Sequence, residues 1–255
     1  MKVEKYLLEK IENENEKLLF VLIDPIDYKS LEEAIEKGKI CANSGADAVL
    51  IGGSVGVQGE VLDYVTKSIK EESEKNGVPI ILFPGNIATL TKYADAIYFM
   101  TLLNSRNTYW TSLAQILAAP VVKRMGIESI PVGYIVVEPG GSVGWVGDVN
   151  LIPREKTKIA VAAALAAQYM GNHFVLIDAG SGAKSPIPNE MVEEISKAID
   201  IPLIVAGGMK NESDIISIAK SGANVLQIGT LVQQTKKEKL ADYISSIKKK
   251  LRKIK

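Results

Sequence analysis

The strongest constraint on the fold of this chain is an alternation. Eight short apolar runs, nearly continuous and rich in Val, Ile and Leu, are separated by longer amphipathic stretches. The runs are Leu18–Ile23, Ala48–Ile51, Pro79–Phe83, Ala96–Met100, Pro131–Val137, Phe174–Ile177, Leu203–Val205 and Val225–Ile228. Strands without polar alternation are buried on both faces, as parallel strands covered by helices are. Helical spacing predicts helices over Ser30–Asn43, Glu60–Lys75, Tyr109–Met125, Arg154–Met170, Asn189–Ile199, Glu212–Ser221 and Lys236–Lys253. An extra helix, Val3–Lys17, is expected before the first strand. A chain of 255 residues carrying such units has the size of one (β/α)8 barrel. The expected fold is therefore α/β, a modified (β/α)8 TIM barrel forming a single domain over residues 1–255.

One unit departs from the pattern. The span from Pro84 to Asp95 is too short for a full crossover helix, so the third helix is expected to be irregular or missing. Elsewhere the boundaries are well marked. Ser30-Leu-Glu-Glu33 reads as a capping box, Gly77, Gly126, Gly171 and Gly222 as C-caps, and Pro79, Pro131 and Pro202 as strand starts.

Composition removes several function classes. Thirty basic residues balance thirty acidic ones, so no basic excess supports nucleic-acid binding. Cys41 is the only cysteine and His173 the only histidine, which excludes an internal disulfide and a Cys/His zinc cluster. Cys41 falls in a helix pattern as a small core residue, and His173 precedes a strand at the face opposite the expected chemistry. A bound metal would be a hard, oxygen-liganded ion such as Mg2+. No apolar stretch reaches the roughly 18–20 residues of a membrane span, and the N-terminus lacks the order of a signal peptide. A cytoplasmic protein, with at most peripheral membrane contact, is expected.

Barrel chemistry sits at the C-terminal ends of strands. Three of these ends carry Gly, Ser or Thr: Phe174-Val-Leu-Ile-Asp-Ala-Gly-Ser-Gly182, Pro202-Leu-Ile-Val-Ala-Gly-Gly208 and Asn224-Val-Leu-Gln-Ile-Gly-Thr230. Backbone N–H groups free of Cβ bulk suit a phosphate, and converging loops can make a cradle for one. Strand one ends in Asp24-Pro25 with Asp27 nearby; Asp24 reads as a Mg2+ ligand or as a cap for the next turn. Strand two ends in a glycine-rich loop whose Ser54 offers an oxygen to a cation or a phosphate. That loop is neither a Walker loop nor a dinucleotide fingerprint. Asp178 closes strand six beside the cradle, where a carboxylate can take a proton from a substrate hydroxyl or simply cap its loop. Trp145, between glycines, suits a subunit interface or an apolar groove.

These segments, in this order, resemble the geranylgeranylglyceryl phosphate synthase family of archaeal membrane-lipid synthesis, whose nearest relatives are the bacterial heptaprenylglyceryl phosphate synthases. The most specific stretch is Val132-Gly-Tyr-Ile-Val-Val-Glu-Pro-Gly-Gly-Ser-Val-Gly-Trp-Val-Gly-Asp148, followed by Asn150-Leu-Ile-Pro-Arg154. Met100-Thr-Leu-Leu-Asn-Ser105 and Ala179-Gly-Ser-Gly-Ala183 support it, and the likeness runs from Leu22-Ile-Asp-Pro25 to Gln227-Ile-Gly-Thr230.

The resemblance implies a barrel with an irregular third unit. It also implies Mg2+-dependent transfer of a geranylgeranyl group from geranylgeranyl diphosphate to the C3 hydroxyl of sn-glycerol 1-phosphate. By resemblance, Asp24 and Ser54 match metal positions, Asp178 the catalytic position, and Leu176, Ile177, Asp178, Ala179, Gly180, Ser181, Gly182, Gly207, Gly208, Gly229 and Thr230 glycerol-phosphate positions. Tyr98, Phe99, Tyr109 and Trp110 are expected to line or end a prenyl trench, whose length separates this activity from that of the longer-chain relatives. A homo-oligomer is expected, a hexamer built from dimers, with Trp145 at a contact. Two departures stand out. Many relatives carry glutamate where this chain has Asp178, and Ile26 separates Pro25 from Asp27 where relatives read Asp-Pro-Asp. A barrel isomerase or lyase of a phosphorylated metabolite would share the same cradle.

Overall fold

The computed structural model describes residues 2–53 and 55–254. Eight parallel strands close into a barrel in sequence order: β1 (Leu18–Ile23), β2 (Ala48–Gly52), β3 (Ile80–Phe83), β4 (Ala96–Leu102), β5 (Glu128–Val136), β6 (Phe174–Asp178), β7 (Leu203–Ala206) and β8 (Val225–Ile228). Pairing of β8 with β1, Leu18 opposite Val225, completes the ring. Helices α1 (Val3–Leu8), α2 (Leu31–Asn43), α3 (Gly59–Ser73), α4 (Ala114–Met125), α5 (Gly141–Val146), α6 (Thr157–Tyr169), α7 (Asn189–Ala198), α8 (Glu212–Lys220), α9 (Thr230–Gln234) and α10 (Lys237–Leu251) lie between or outside them.

Side chains alternate across each strand and build two cores. One fills the barrel with Leu18, Phe20, Leu50, Ile81, Val132, Phe174 and Ile204; the other packs strands against helices. Val3, Leu7 and Ile11 join the inner core, so α1 closes the N-terminal mouth. The Glu128 carboxylate fixes this plug by accepting from Val3 N at 2.6 Å and Glu4 N at 3.1 Å. Buried Asp47 adds a second tie, accepting from Lys10 Nζ and Lys248 Nζ, each at 2.7 Å, and from Leu19 N at 2.8 Å.

Residues 84–95 contain no helix, as their length predicts. The Ser30 box also forms: Glu33 N donates to Ser30 Oγ at 3.2 Å, while the Glu33 carboxylate reaches back one residue further, to Lys29 N. His173 sits at the N-terminal face with Nδ1 2.7 Å from Glu4 Oε1, and Cys41 is buried.

Three expectations need correction. Pro131 lies within β5 and does not begin it; pairing to β6 starts only at Val132, so its missing N–H falls before that ladder. The Trp145 segment is the short helix α5, and a second short helix, α9, follows β8. The pattern over Val3–Lys17 covers α1 and a wider helical turn, Glu9–Asn13, that ends before β1.

Candidate active site

At the C-terminal end of the barrel one cleft of about 300 Å3 has two chemically distinct parts. The polar part is floored by Asp178, Ala206 and Gln227 and rimmed by Ser181, Gly207, Gly208, Gly229, Thr230 and Asp24. The apolar arm runs over the rim between Phe83, Pro84, Ile87 and Leu90 on one side and Trp110, Ala114 and Ala118 on the other. Ile97 and Phe99, on the outer face of β4, line it too. A helix after β3 would cover that outer face. The missing third helix is thus what opens the arm.

Asp178 ends β6 buried at the floor of the cleft. Its Oδ2 accepts from Tyr134 Oη at 2.7 Å and its Oδ1 from Gly180 N at 2.7 Å. Burial raises its pKa, and the two hydrogen bonds pull against that rise. A carboxylate with its affinity for a proton raised, held in one orientation, is suited to accept a proton. Tyr134 itself is pushed well above the ordinary tyrosine value by burial and by the Asp178 charge, so it stays a donor.

The glycine pair at the end of β7 packs directly over this carboxylate. Gly207 and Gly208 have φ of 80° and 72°, the left-handed region that side chains rarely enter. A Cβ on Gly207 would lie 2.5 Å from Asp178 Oδ1, and one on Gly208 would overlap the Ser185 carbonyl. Gly229 differs: its φ is −130°, and a Cβ there would meet nothing closer than Leu22 at 3.5 Å. The hydroxyls of Ser181 and Thr230 lie 3.3 Å apart across the cradle.

Asp24 follows β1 in a single tight turn, where Asp27 N donates to its carbonyl at 3.1 Å. Its Oδ1 is buried without a hydrogen-bond partner among the described residues. Burial, and then the nearby Asp27 carboxylate, push its pKa up to about 7, against a hydrogen bond from the Ile26 backbone. A lone buried carboxylate oxygen of this kind is a place for a cation. No lysine, arginine or histidine lines the cleft among the described residues, whereas Asp24, Asp27 and Asp178 do. Ser54, the other expected metal position, lies outside the described residues. Among the described residues no group of three or more His, Cys, Asp or Glu forms a complete protein cage.

Of the expected glycerol-phosphate positions, Asp178, Ser181, Gly207, Gly208, Gly229 and Thr230 line the cleft. Leu176 and Ile177 do not: Leu176 fills the barrel and Ile177 packs against helices. Ala179 is buried, Gly180 serves through its N–H to Asp178, and Gly182 turns the loop at φ 72°. Tyr98, Phe99 and Trp110 line the cleft, while Tyr109 stacks edge-on against Trp110 at 4.8 Å. Sequence reasoning missed Tyr134 and Gln227. Their signal is a polar side chain at an inward register position within an apolar strand run.

The model of the PcrB family matches residues 10–249. This chain belongs to the PcrB family. It is 52% identical over 235 residues to the geranylgeranylglyceryl phosphate synthase of Pyrococcus horikoshii, covering 92% of this chain and 90% of that one. Identity to the enzyme of the same name from Thermococcus sibiricus is 50% over 252 residues, covering 97% and 96%. The crystal structure of (S)-3-O-geranylgeranylglyceryl phosphate synthase from Thermoplasma acidophilum, in complex with its substrate sn-glycerol-1-phosphate, matches with a TM-score of 0.92. That match covers 100% of both chains at 32% identity. In this PcrB family member the apolar arm opens from the same end of the barrel that carries Asp24 and Asp178.

Proposed function

We propose that this chain is a Mg2+-dependent prenyltransferase that joins the geranylgeranyl group of geranylgeranyl diphosphate to the C3 hydroxyl of sn-glycerol 1-phosphate. One observation carries the reading: a single cleft joins a polar subsite around a buried carboxylate to an apolar arm. An isomerase or lyase of a small phosphorylated metabolite has no use for such an arm. The names of the PcrB relatives support the same reaction.

The acidic cleft supports the metal. Two phosphorylated substrates must enter a space lined by three aspartates and no basic side chain among the described residues. Asp24, through its unpartnered Oδ1, would hold Mg2+ together with substrate oxygens. Bound there, Mg2+ supplies charge compensation for the diphosphate as it leaves. The chain does the rest. The backbones of Gly207, Gly208 and Gly229 and the hydroxyls of Ser181 and Thr230 hold the glycerol phosphate. Asp178, oriented by Tyr134 and Gly180, takes the proton of the C3 hydroxyl as its oxygen bonds to the prenyl C1. The C1–O bond to diphosphate breaks with both electrons going to that oxygen. The allylic cation character at C1 spares the site a strong nucleophile.

The arm holds the prenyl chain, each buried methylene contributing roughly 0.8 kcal/mol. Trp110, which lines the arm with Tyr109 stacked edge-on against it, is the stop that would favour a donor of twenty carbons over a longer one. Trp145 is 88% exposed, which supports its role as an anchor between subunits of a hexamer. No helix of the described residues is long and apolar enough to cross a membrane, in keeping with a cytoplasmic enzyme that meets its lipid substrate at a surface. Diphosphate release tests the reaction: it should require prenyl donor, glycerol phosphate and Mg2+ together. Release without glycerol phosphate, or none at all, would reject it.

A further inference from the structure

The floor of the polar subsite holds one group with no role in that reaction. Gln227, on β8, is a single amide in an apolar strand, 3% exposed, and lines the cleft. Its Oε1 accepts from Tyr98 Oη at 3.5 Å, while its Nε2 donates to no acceptor among the described residues. Register places Gln227 beside Ala206 of β7, and Ala206 beside Asp178 of β6. A methyl group is therefore all that the intervening strand puts between the amide and the carboxylate. The N–H groups of a primary amide that lines a cleft are open to a ligand or water that can accept them. Here they face the space where an acceptor substrate must sit.

Resting on the reaction proposed above, we infer that Gln227 is a specificity-determining residue whose Nε2 donates to the C2 hydroxyl oxygen of the glycerol phosphate. The chemistry selects this oxygen. The C3 oxygen needs its lone pair for the prenyl carbon, so a donor there would oppose the reaction, while Asp178 only accepts and suits its proton. The vicinal C2 oxygen is the one left to a donor. With the phosphate held by the glycine loops and C3 held by Asp178, a third fixed point at C2 distinguishes mirror-image glycerol phosphates.

The test compares wild-type enzyme with Gln227→Met, which keeps the length of the side chain and removes its donors. Gln227→Leu serves as a second variant should the first melt early. Acceptors are sn-glycerol 1-phosphate, sn-glycerol 3-phosphate and 3-hydroxypropyl phosphate, which lacks the C2 hydroxyl. Wild type should prefer sn-glycerol 1-phosphate over 3-hydroxypropyl phosphate by about tenfold or more in kcat/KM, the loss expected of one hydrogen bond. The variant should bring these two within about twofold and narrow the preference between enantiomers, with the prenyl-donor KM unchanged. A variant that keeps the wild-type discrimination, or loses activity equally with all acceptors, would overturn the assignment. Wild type forming no prenyl ether with any acceptor would instead reject the underlying reaction.

Discussion

Tyr134 Oη lies 2.7 Å from Asp178 Oδ2, and both groups are buried beneath the cleft. The phenol reaches across from β5, and the Gly180 N–H holds the other oxygen, so the carboxylate has one orientation. This pair links barrel register directly to the position of the proton acceptor.

Replacing Tyr134 with Phe keeps the ring and removes the donor. A hydrogen bond to the ionised carboxylate lowers its pKa, so the loss should raise the Asp178 pKa further. The acid limb of kcat should move up by roughly one to two pH units, since such bonds are worth about 1.5–3 kcal/mol. An unmoved limb would mean that Asp178 is not the group titrating.

Asp24→Asn separates function from stability. Its carboxyl has a folded-state pKa of about 7 against 3.8 for the ordinary group, so ionisation is what the fold resists. That cost is absent below the ordinary value and complete above about 7. The variant should lose most activity, yet melt higher than wild type in metal-free buffer at pH 8 and no higher at pH 4. Mg2+ competes with the proton on Asp24, so wild-type activity at low Mg2+ should rise as pH rises through 7, and excess Mg2+ should shift that rise to lower pH. Equal melting at both pH values would place the unpartnered charge elsewhere.

Gly208 and Gly229, which the sequence presents as equivalent cradle glycines, should respond differently to alanine. At Gly208 the new Cβ overlaps Ser185 and the left-handed φ adds about 1–2 kcal/mol of strain. Melting temperature should fall there and both substrate KM values should rise. At Gly229 the methyl meets only ordinary contacts, so the fold should hold and the glycerol-phosphate KM alone should rise. Thermal melting and the two KM values decide, and matching behaviour of the two variants would refute the distinction.

Trp145→Ala should dissociate a hexamer into smaller, still active units, read by light scattering. An unchanged oligomer with an altered prenyl-donor KM would make this indole part of the substrate groove.

The barrel was legible because burial on both faces leaves unbroken apolar runs, and the absent third helix because residues 84–95 are too few for one. Asp24, Asp178 and the glycine loops stood out by their place at strand ends. Tyr134 and Gln227 did not, since their meaning depends on which face of the strand they occupy and on what stands two strands away. Leu176 and Ile177 show the converse: adjacency to a cradle in sequence carries their side chains into two different cores. The short helices α5 and α9 were missed because runs of five or six residues carry too little periodicity.

The central claim is that a glycerol oxygen held beside Asp178 attacks the prenyl carbon in this cleft. It is tested most directly with sn-glycerol 1-phosphate carrying 18O in its C3 hydroxyl, geranylgeranyl diphosphate and Mg2+, followed by mass spectrometry of the product. The expected product is a geranylgeranyl ether that retains the 18O, with unlabelled diphosphate released. An ether without the label, or prenyl alcohol and no ether, would contradict it.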